Sequence, residues 1–132
     1  MIRLFQRQNW DVSYASTAAE SSFAIDLYGI GVNKLSVKVN DIGFDAIIQN
    51  LAPDMVMYDR FMTEEQFGWR VAKFAPNALR ILDTEDFHCL RYARQRAFQE
   101  KRVFTDDDLL SDVAIREVAA ILRSDLSLMI ST

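Results

Sequence analysis

The chain has 132 residues, half of them hydrophobic and 26% charged, which is the size and composition of one globular domain. Four Gly and two Pro exclude a collagenous, low-complexity or linker-rich chain. A formal charge of −4 argues against a general electrostatic grip on nucleic acid, and one Cys and one His exclude a disulfide framework and the usual multi-His or multi-Cys metal sites.

The first residues, Met1-Ile-Arg-Leu-Phe-Gln-Arg-Gln8, read as an amphipathic helical stub. They lack the apolar run of a signal peptide. No stretch approaches the ~18 apolar residues of a membrane span. A soluble, cytoplasmic protein is the expectation.

Residues 11–15 read as a strand. Thr17-x-x-Glu20 has the capping-box pattern, and Phe23, Ala24, Leu27 and Tyr28 then share a helical face. Gly29 and Gly31 stop that helix. Residues 35–39 are rich in β-branched residues and read as the second strand. Asn40 or Asp41 caps a helix whose stripe is Phe44, Ile47, Ile48 and Leu51, ending before Pro53. Residues 55–58 are the third strand. Thr63-x-x-Gln66 opens a helix carrying Phe67, Val71 and Phe74, broken at Pro76-Asn77. Residues 79–82 are the fourth strand, and a helix follows over 86–99. Thr105 caps a long helix with Asp106, Asp107 and Asp108 in its first turn, where carboxylates suit the positive end of the macrodipole. Leu110, Val113, Ala114, Val118, Ile121 and Leu122 are its expected buried stripe. Residues 126–130 form the last strand.

Strands and helices alternate with strand spacings of about twenty residues, as parallel βαβ units require. The fold class is therefore α/β, a three-layer, mostly parallel sheet of about five strands with helices on both faces, Rossmann-like in kind. With no internal repeat and no linker, residues 1–132 read as a single domain. The anomaly is at the front, where a helical stub stands in place of the central first strand of a doubly wound fold.

Ligands of open α/β sheets bind beyond the carboxyl ends of the strands. Four segments fall there: Ser16-Thr17, Asp59-Arg60, Asp83-Thr84-Glu85-Asp86 and Ser131-Thr132. The stretch from Asp83 to Arg91 is the densest polar cluster. Close carboxylates repel and can raise one pKa, the route to a general base. They also suit Mg²⁺ with phosphates, while an Asp or Glu ahead of a helix is equally an ordinary cap. His88 alone titrates near neutrality unaided, and without a second His or a Cys partner a backbone-bonded imidazole is the plainer reading. Cys89 reads as a small core hydrophobe.

Arg91 and Arg94 share a helix face and could hold a phosphate or carboxylate, although a solvated face balanced by residues 106–108 explains them as well. Arg60, directly after the third strand, is placed to reach an anion or to pair with Asp59 or Glu85. Gly29-Ile-Gly31 is not a dinucleotide fingerprint, because Lys34 takes the third glycine position and the pair follows a helix. No Walker loop exists. Phe23, Phe44, Phe67, Phe74 and Phe98 lie at helical spacing, which is core rather than a base-stacking platform.

Taken in order, the segments resemble the amino-terminal half of GT-B glycosyltransferases. Arg80-Ile-Leu-Asp-Thr-Glu-Asp-Phe-His-Cys-Leu-Arg91 is similar to that family's strand, acidic loop and Arg-bearing helix. Arg123-Ser-Asp-Leu-Ser-Leu-Met-Ile-Ser131 resembles its following strand. Pro53-Asp-Met-Val-Met-Tyr-Asp59 and Gln8-Asn9-Trp-Asp-Val-Ser-Tyr-Ala15 resemble two earlier ones. The match is spread over the chain, each motif is loose, and only the ordered set is informative.

The resemblance implies an acceptor-side domain of an enzyme that transfers a sugar from a nucleotide-sugar donor. Glu85, Asp86 and His88 would be its catalytic candidates, and Asp59, Arg60, Asp83, Thr84 and Arg91 its substrate-binding ones. The family's loop His falls at Glu85 and its following Glu at His88, so the polar types are exchanged. No metal or other cofactor is expected. The acceptor, such as a saccharide, would bind here, whereas the nucleotide sugar would need a second domain. Against the family pattern, the first strand with its Gly-rich loop and the donor half have no counterpart, so the isolated chain is expected to be inactive. The alternative is a non-catalytic Rossmann-like interaction or oligomerisation module, a homodimer in its simplest form, because a missing strand leaves exposed edges. A receiver-like domain lacks its acids after the first strand and its Lys after the last.

Overall fold

A computed structural model describes residues 1–19 and 25–129. Its elements in chain order are α1 (Ile2–Arg7), β1 (Ser13–Ser16), a 3-10 turn (Tyr28–Ile30), β2 (Asn33–Ser36), α2 (Gly43–Leu51), β3 (Met55–Asp59), α3 (Arg60–Phe74), β4 (Leu79–Asp83), α4 (His88–Gln99), a second 3-10 turn (Asp106–Leu109), α5 (Asp112–Arg123) and β5 (Leu126–Leu128). Among the described residues no helix is long and apolar enough to cross a membrane.

The protein is α/β, with five helices among the described residues, where every strand pairing is parallel. The five strands fall into two sheets, a pair β1-β2 and a trio ordered β3-β4-β5. The chain accordingly divides into two compact units, Met1–Ala46 and Ile47–Thr132.

In the first unit β1 pairs with β2 from Ser13↔Asn33 to Ser16↔Ser36. The ladder continues when the Val37 N–H donates to the Ser16 carbonyl at 3.0 Å. The second strand thus begins two residues earlier than its β-branched run suggests. The amino-terminal stub is a helix, as its pattern predicts, and Gln6 Nε2 ties it to the Ile30 carbonyl at 2.7 Å. Phe5 stacks edge-on against Trp10, with ring centres 6.2 Å apart. Gly31 closes the 3-10 turn at φ +73°, a conformation glycine adopts without penalty. The helix expected after Thr17 lies partly outside the described residues, and residues 25–27 are not helical. At the end of this unit Asp41 Oδ1 accepts the Gly43 N–H at 2.6 Å and so starts α2.

In the second unit β3 and β4 run in register from Met55↔Leu79 to Asp59↔Asp83, and β4 pairs with β5 from Ile81↔Leu126 to Asp83↔Leu128. Order β3-β4-β5 advances in one direction, so right-handed crossovers put α3 and α5 on one face, where the two helices touch. Leu82 and Val71 are wholly buried on that side. The adjacent Ile81 is buried too, so β4 is covered on both faces at its centre.

Several parts of the sequence pattern are corrected, the first being that α3 begins at Arg60, so Thr63 lies inside the helix and does not open it. The helix expected from Thr105 is two elements. Thr105 and Asp108 form a capping box over the 3-10 turn, and Ser111 then caps α5 by accepting the Ala114 N–H at 3.2 Å. The expected buried stripe is also split: Val113, Ala114 and Ile121 are half-buried, Leu110, Val118 and Leu122 are exposed, and Glu117 and Ala120 are the buried residues. Phe98, placed in the core by its spacing, is 84% exposed.

Candidate functional site at the carboxyl ends of the strands

The carboxyl ends of β3, β4 and β5 bring together all eight residues singled out from the sequence. β3 passes into α3 without a loop: Asp59 is the extended N-cap and Arg60 turns the corner at φ +68°. A sharp strand-to-helix elbow holds its side chain at the top of the sheet. The next connection, after β4, contains a second outlier, Glu85 at φ +54°. The two outliers are paired. Arg60 Nη2 lies 2.6 Å and Nε 2.8 Å from Glu85 Oε2, and Asp59 Oδ1 stands 3.7 Å from Arg60 Nε. The Glu85 and Asp59 carboxylates hold the Arg60 guanidinium above its ordinary pKa.

Asp83 Oδ1 accepts the Glu85 N–H at 3.2 Å, an Asx turn that shapes this loop. Asp86 N–H folds back to the Thr84 carbonyl at 2.6 Å. Thr84 is buried and gives both its N–H (3.1 Å) and its hydroxyl (2.9 Å) to the Leu128 carbonyl, extending the β4–β5 ladder. Its side chain is spent on the sheet. Asp86 pairs with Arg91 Nη1 at 2.7 Å. The two candidate bases are therefore each bound to an arginine, and all four side chains are about half exposed.

His88 begins α4 and is only 3% exposed. Its ring packs edge-on against Phe61 at 5.4 Å and beside Tyr92 at 6.3 Å. Nδ1 stands 3.5 Å from Asp86 Oδ1 and 3.4 Å from Glu117 Oε1 and makes no hydrogen bond. Helix α4 has no side-chain cap of its own. Glu117 of α5, 1% exposed, supplies one: its two oxygens accept the N–H groups of His88 and Cys89, each at 3.0 Å. Burial first, and the Glu117 carboxylate second, push the Cys89 thiol up to about 11.

Glu117 is the residue the sequence reading missed. Its signal was present, because position 117 falls on the same helical face as Val113, Ala114, Ala120 and Ile121, and a lone carboxylate on an inward face needs a buried donor. Two further ion pairs escaped for the same reason. Glu64, 3% exposed, takes a bidentate grip from Arg123, and Asp125 holds both the Arg80 guanidinium and the Arg80 N–H. Arg96 and Arg102 converge on Asp108 at 3.1 and 2.5 Å.

The class of protein these features define is a small parallel α/β protein with a half-exposed, ion-paired polar rim at the carboxyl ends of its strands. No protein-family model, no curated protein and no solved structure matches the chain.

Proposed function

We propose that the chain is the acceptor-side domain of a GT-B-type glycosyltransferase, one that holds a polyhydroxylated acceptor at the carboxyl ends of β3 and β4 and does not catalyse transfer alone. The observation that carries this reading is the Arg60–Glu85 pair. Both residues sit in the left-handed region, on adjacent strand ends, where doubly wound sheets bind ligands. A half-exposed carboxylate–guanidinium pair offers acceptors and donors to sugar hydroxyls at little cost in desolvation.

Catalysis is assigned elsewhere because Glu85 and Asp86 are each committed to an arginine and His88 is closed off from solvent. Amide chemical-shift titration with a panel of oligosaccharides tests the proposal. Shifts confined to Arg60, Glu85, Asp86 and their neighbours are expected, with no response to a uridine diphosphate sugar. Tight nucleotide-sugar binding, or a panel that moves nothing at these amides, would overturn it.

A non-catalytic interaction module is the second reading. The exposed aliphatic face of α5 favours it.

A further inference from the structure

His88 is the single histidine of the chain, and its Nδ1 is buried without a hydrogen-bond partner among the described residues. A buried polar atom left unbonded costs free energy and calls for a reason. Two carboxylates from two different elements supply one. Asp86 Oδ1, in the connection between β4 and α4, stands 3.5 Å from Nδ1, and Glu117 Oε1 of α5 stands 3.4 Å from it. Each contact is about 0.6 Å longer than a charge-assisted hydrogen bond. Phe61 of α3 and Tyr92 of α4 pack beside the ring and keep it dry.

The charges around the ring are unevenly matched. Arg91 lies over the Tyr92 ring and is bound to Asp86. Arg116 lies over the Phe61 ring and is bound to Glu65. Both guanidiniums are therefore answered by a carboxylate. Glu117, 1% exposed, bonds two amides and has no lysine or arginine partner among the described residues. The neighbouring Cys89 thiol, pushed up to about 11, carries no charge near neutral pH. A positive charge placed on the imidazole would complete an alternating row, Arg91, Asp86, His88, Glu117.

We propose that His88 is a proton-operated clasp between the β4–α4 connection and α5. Uncharged, the ring stands off from both carboxylates, as it does here. Protonated, its Nδ1–H is shared between Asp86 and Glu117 and draws the two elements together. The clasped segment holds Glu85 in the left-handed region, bonded to Arg60, and Asp86, bonded to Arg91. The proton thus sets how firmly both ion pairs at the strand ends are held. Imidazole is the side chain that gains its proton between about pH 8 and pH 5. The clasp does not depend on what binds at the strand ends.

Nuclear magnetic resonance of the full chain from about pH 8 to 5.5 tests it, because every imidazole signal belongs to His88. The ring nitrogens should report protonation of the folded chain, and the Glu85 and Asp86 amides should shift with the same midpoint. Exchange of those two amides, corrected for its intrinsic pH dependence, should slow about tenfold at the acid end, the effect of one added charge-assisted hydrogen bond. Asp86→Asn, at a half-exposed position, should abolish the slowing while the ring still titrates. His88→Gln should leave both amides indifferent to pH over this range. A ring that keeps one protonation state throughout overturns the proposal. So does a ring that titrates while the two amides stay still, or an Asp86→Asn variant that slows as the wild type does. Should His88→Gln unfold the chain, the wild-type titration and Asp86→Asn decide.

Discussion

The Glu117 carboxylate accepts the His88 N–H at 3.0 Å and thereby caps a helix to which it does not belong. A buried carboxylate usually needs a cation. Here two amides at the positive end of α4 take that place, and the helix gains the cap that Phe87 cannot give. Substituting Glu117→Ala should cost about 2–3 kcal/mol in denaturant unfolding, since two buried donors lose their partner together. Glu117→Gln, keeping one acceptor oxygen, should cost less. Amide exchange at His88 and Cys89 should accelerate in both variants. Unchanged exchange there would show that the cap is idle.

Burial, and after it the same carboxylate, keep the cysteine protonated. A thiol raised to about 11 is almost wholly protonated at pH 8. Alkylation of Cys89 by iodoacetamide in the folded chain should therefore run about a hundredfold slower than in the denatured chain. Glu117→Gln should narrow that gap, because the carboxylate disfavours a neighbouring thiolate.

Arg60 and Glu85 offer a test of stored strain. At a positive φ, glycine is relieved of a Cβ that alanine keeps. Glu85→Gly should be more stable than Glu85→Ala by about 1 kcal/mol, and the same order should hold at Arg60. Both glycine variants lose the ion pair, so both should lose the saccharide-induced shifts even where they gain stability. Thermal unfolding compared with shift titration separates the two effects.

Acid should expose the contribution of the carboxylate pairs. Arg102, and then the Thr105 N–H, hold the Asp108 carboxyl well below its usual range, and Arg80 and Arg116 do the same for Asp125 and Glu65. A carboxyl depressed in the folded state stabilises it fully above its unfolded pKa of about 4, and the gain is lost as pH falls toward the folded value. Unfolding midpoints should be flat from pH 7 to about 5 and fall steeply below about 4. Asp108→Asn should be less stable at pH 7 and show a shallower acid slope.

What could be read in the sequence, and what could not, follows from the range of the forces involved. β3 and β4 were legible because Met55 to Tyr58 is a continuous apolar run and Leu79 to Leu82 is apolar except for Arg80, each between turn residues, a local signal. The carboxyl-end cluster was legible for the same reason: a strand ending in polar residues delivers them to a known place. The partners of the inward carboxylates Glu64 and Glu117 were not, because they are 59 and about 28 residues away, and a helical period shows which face a carboxylate shares without naming the donor it meets. The α5 stripe was misread because apolar periodicity tells which residues share a face, not which way that face is turned. The break at Leu110 was hidden by two successive caps, Thr105 and Ser111, of which the first satisfied the pattern of a single helix.

The register of β3 has a colloidal consequence. Met55, Val56, Met57 and Tyr58 form an end strand of their own sheet, and no strand pairs with the other edge among the described residues. Edge strands are ordinarily blunted by lysine, proline, bulges or shortness. β5, with three residues, is short, whereas β3 has five and no charge before Asp59. Molecules that open transiently would expose an uncharged template of β-prone residues, the kind that seeds intermolecular sheets. Soluble yield should therefore depend on expression rate and temperature more than on native stability, and a lysine at Met55 should raise it.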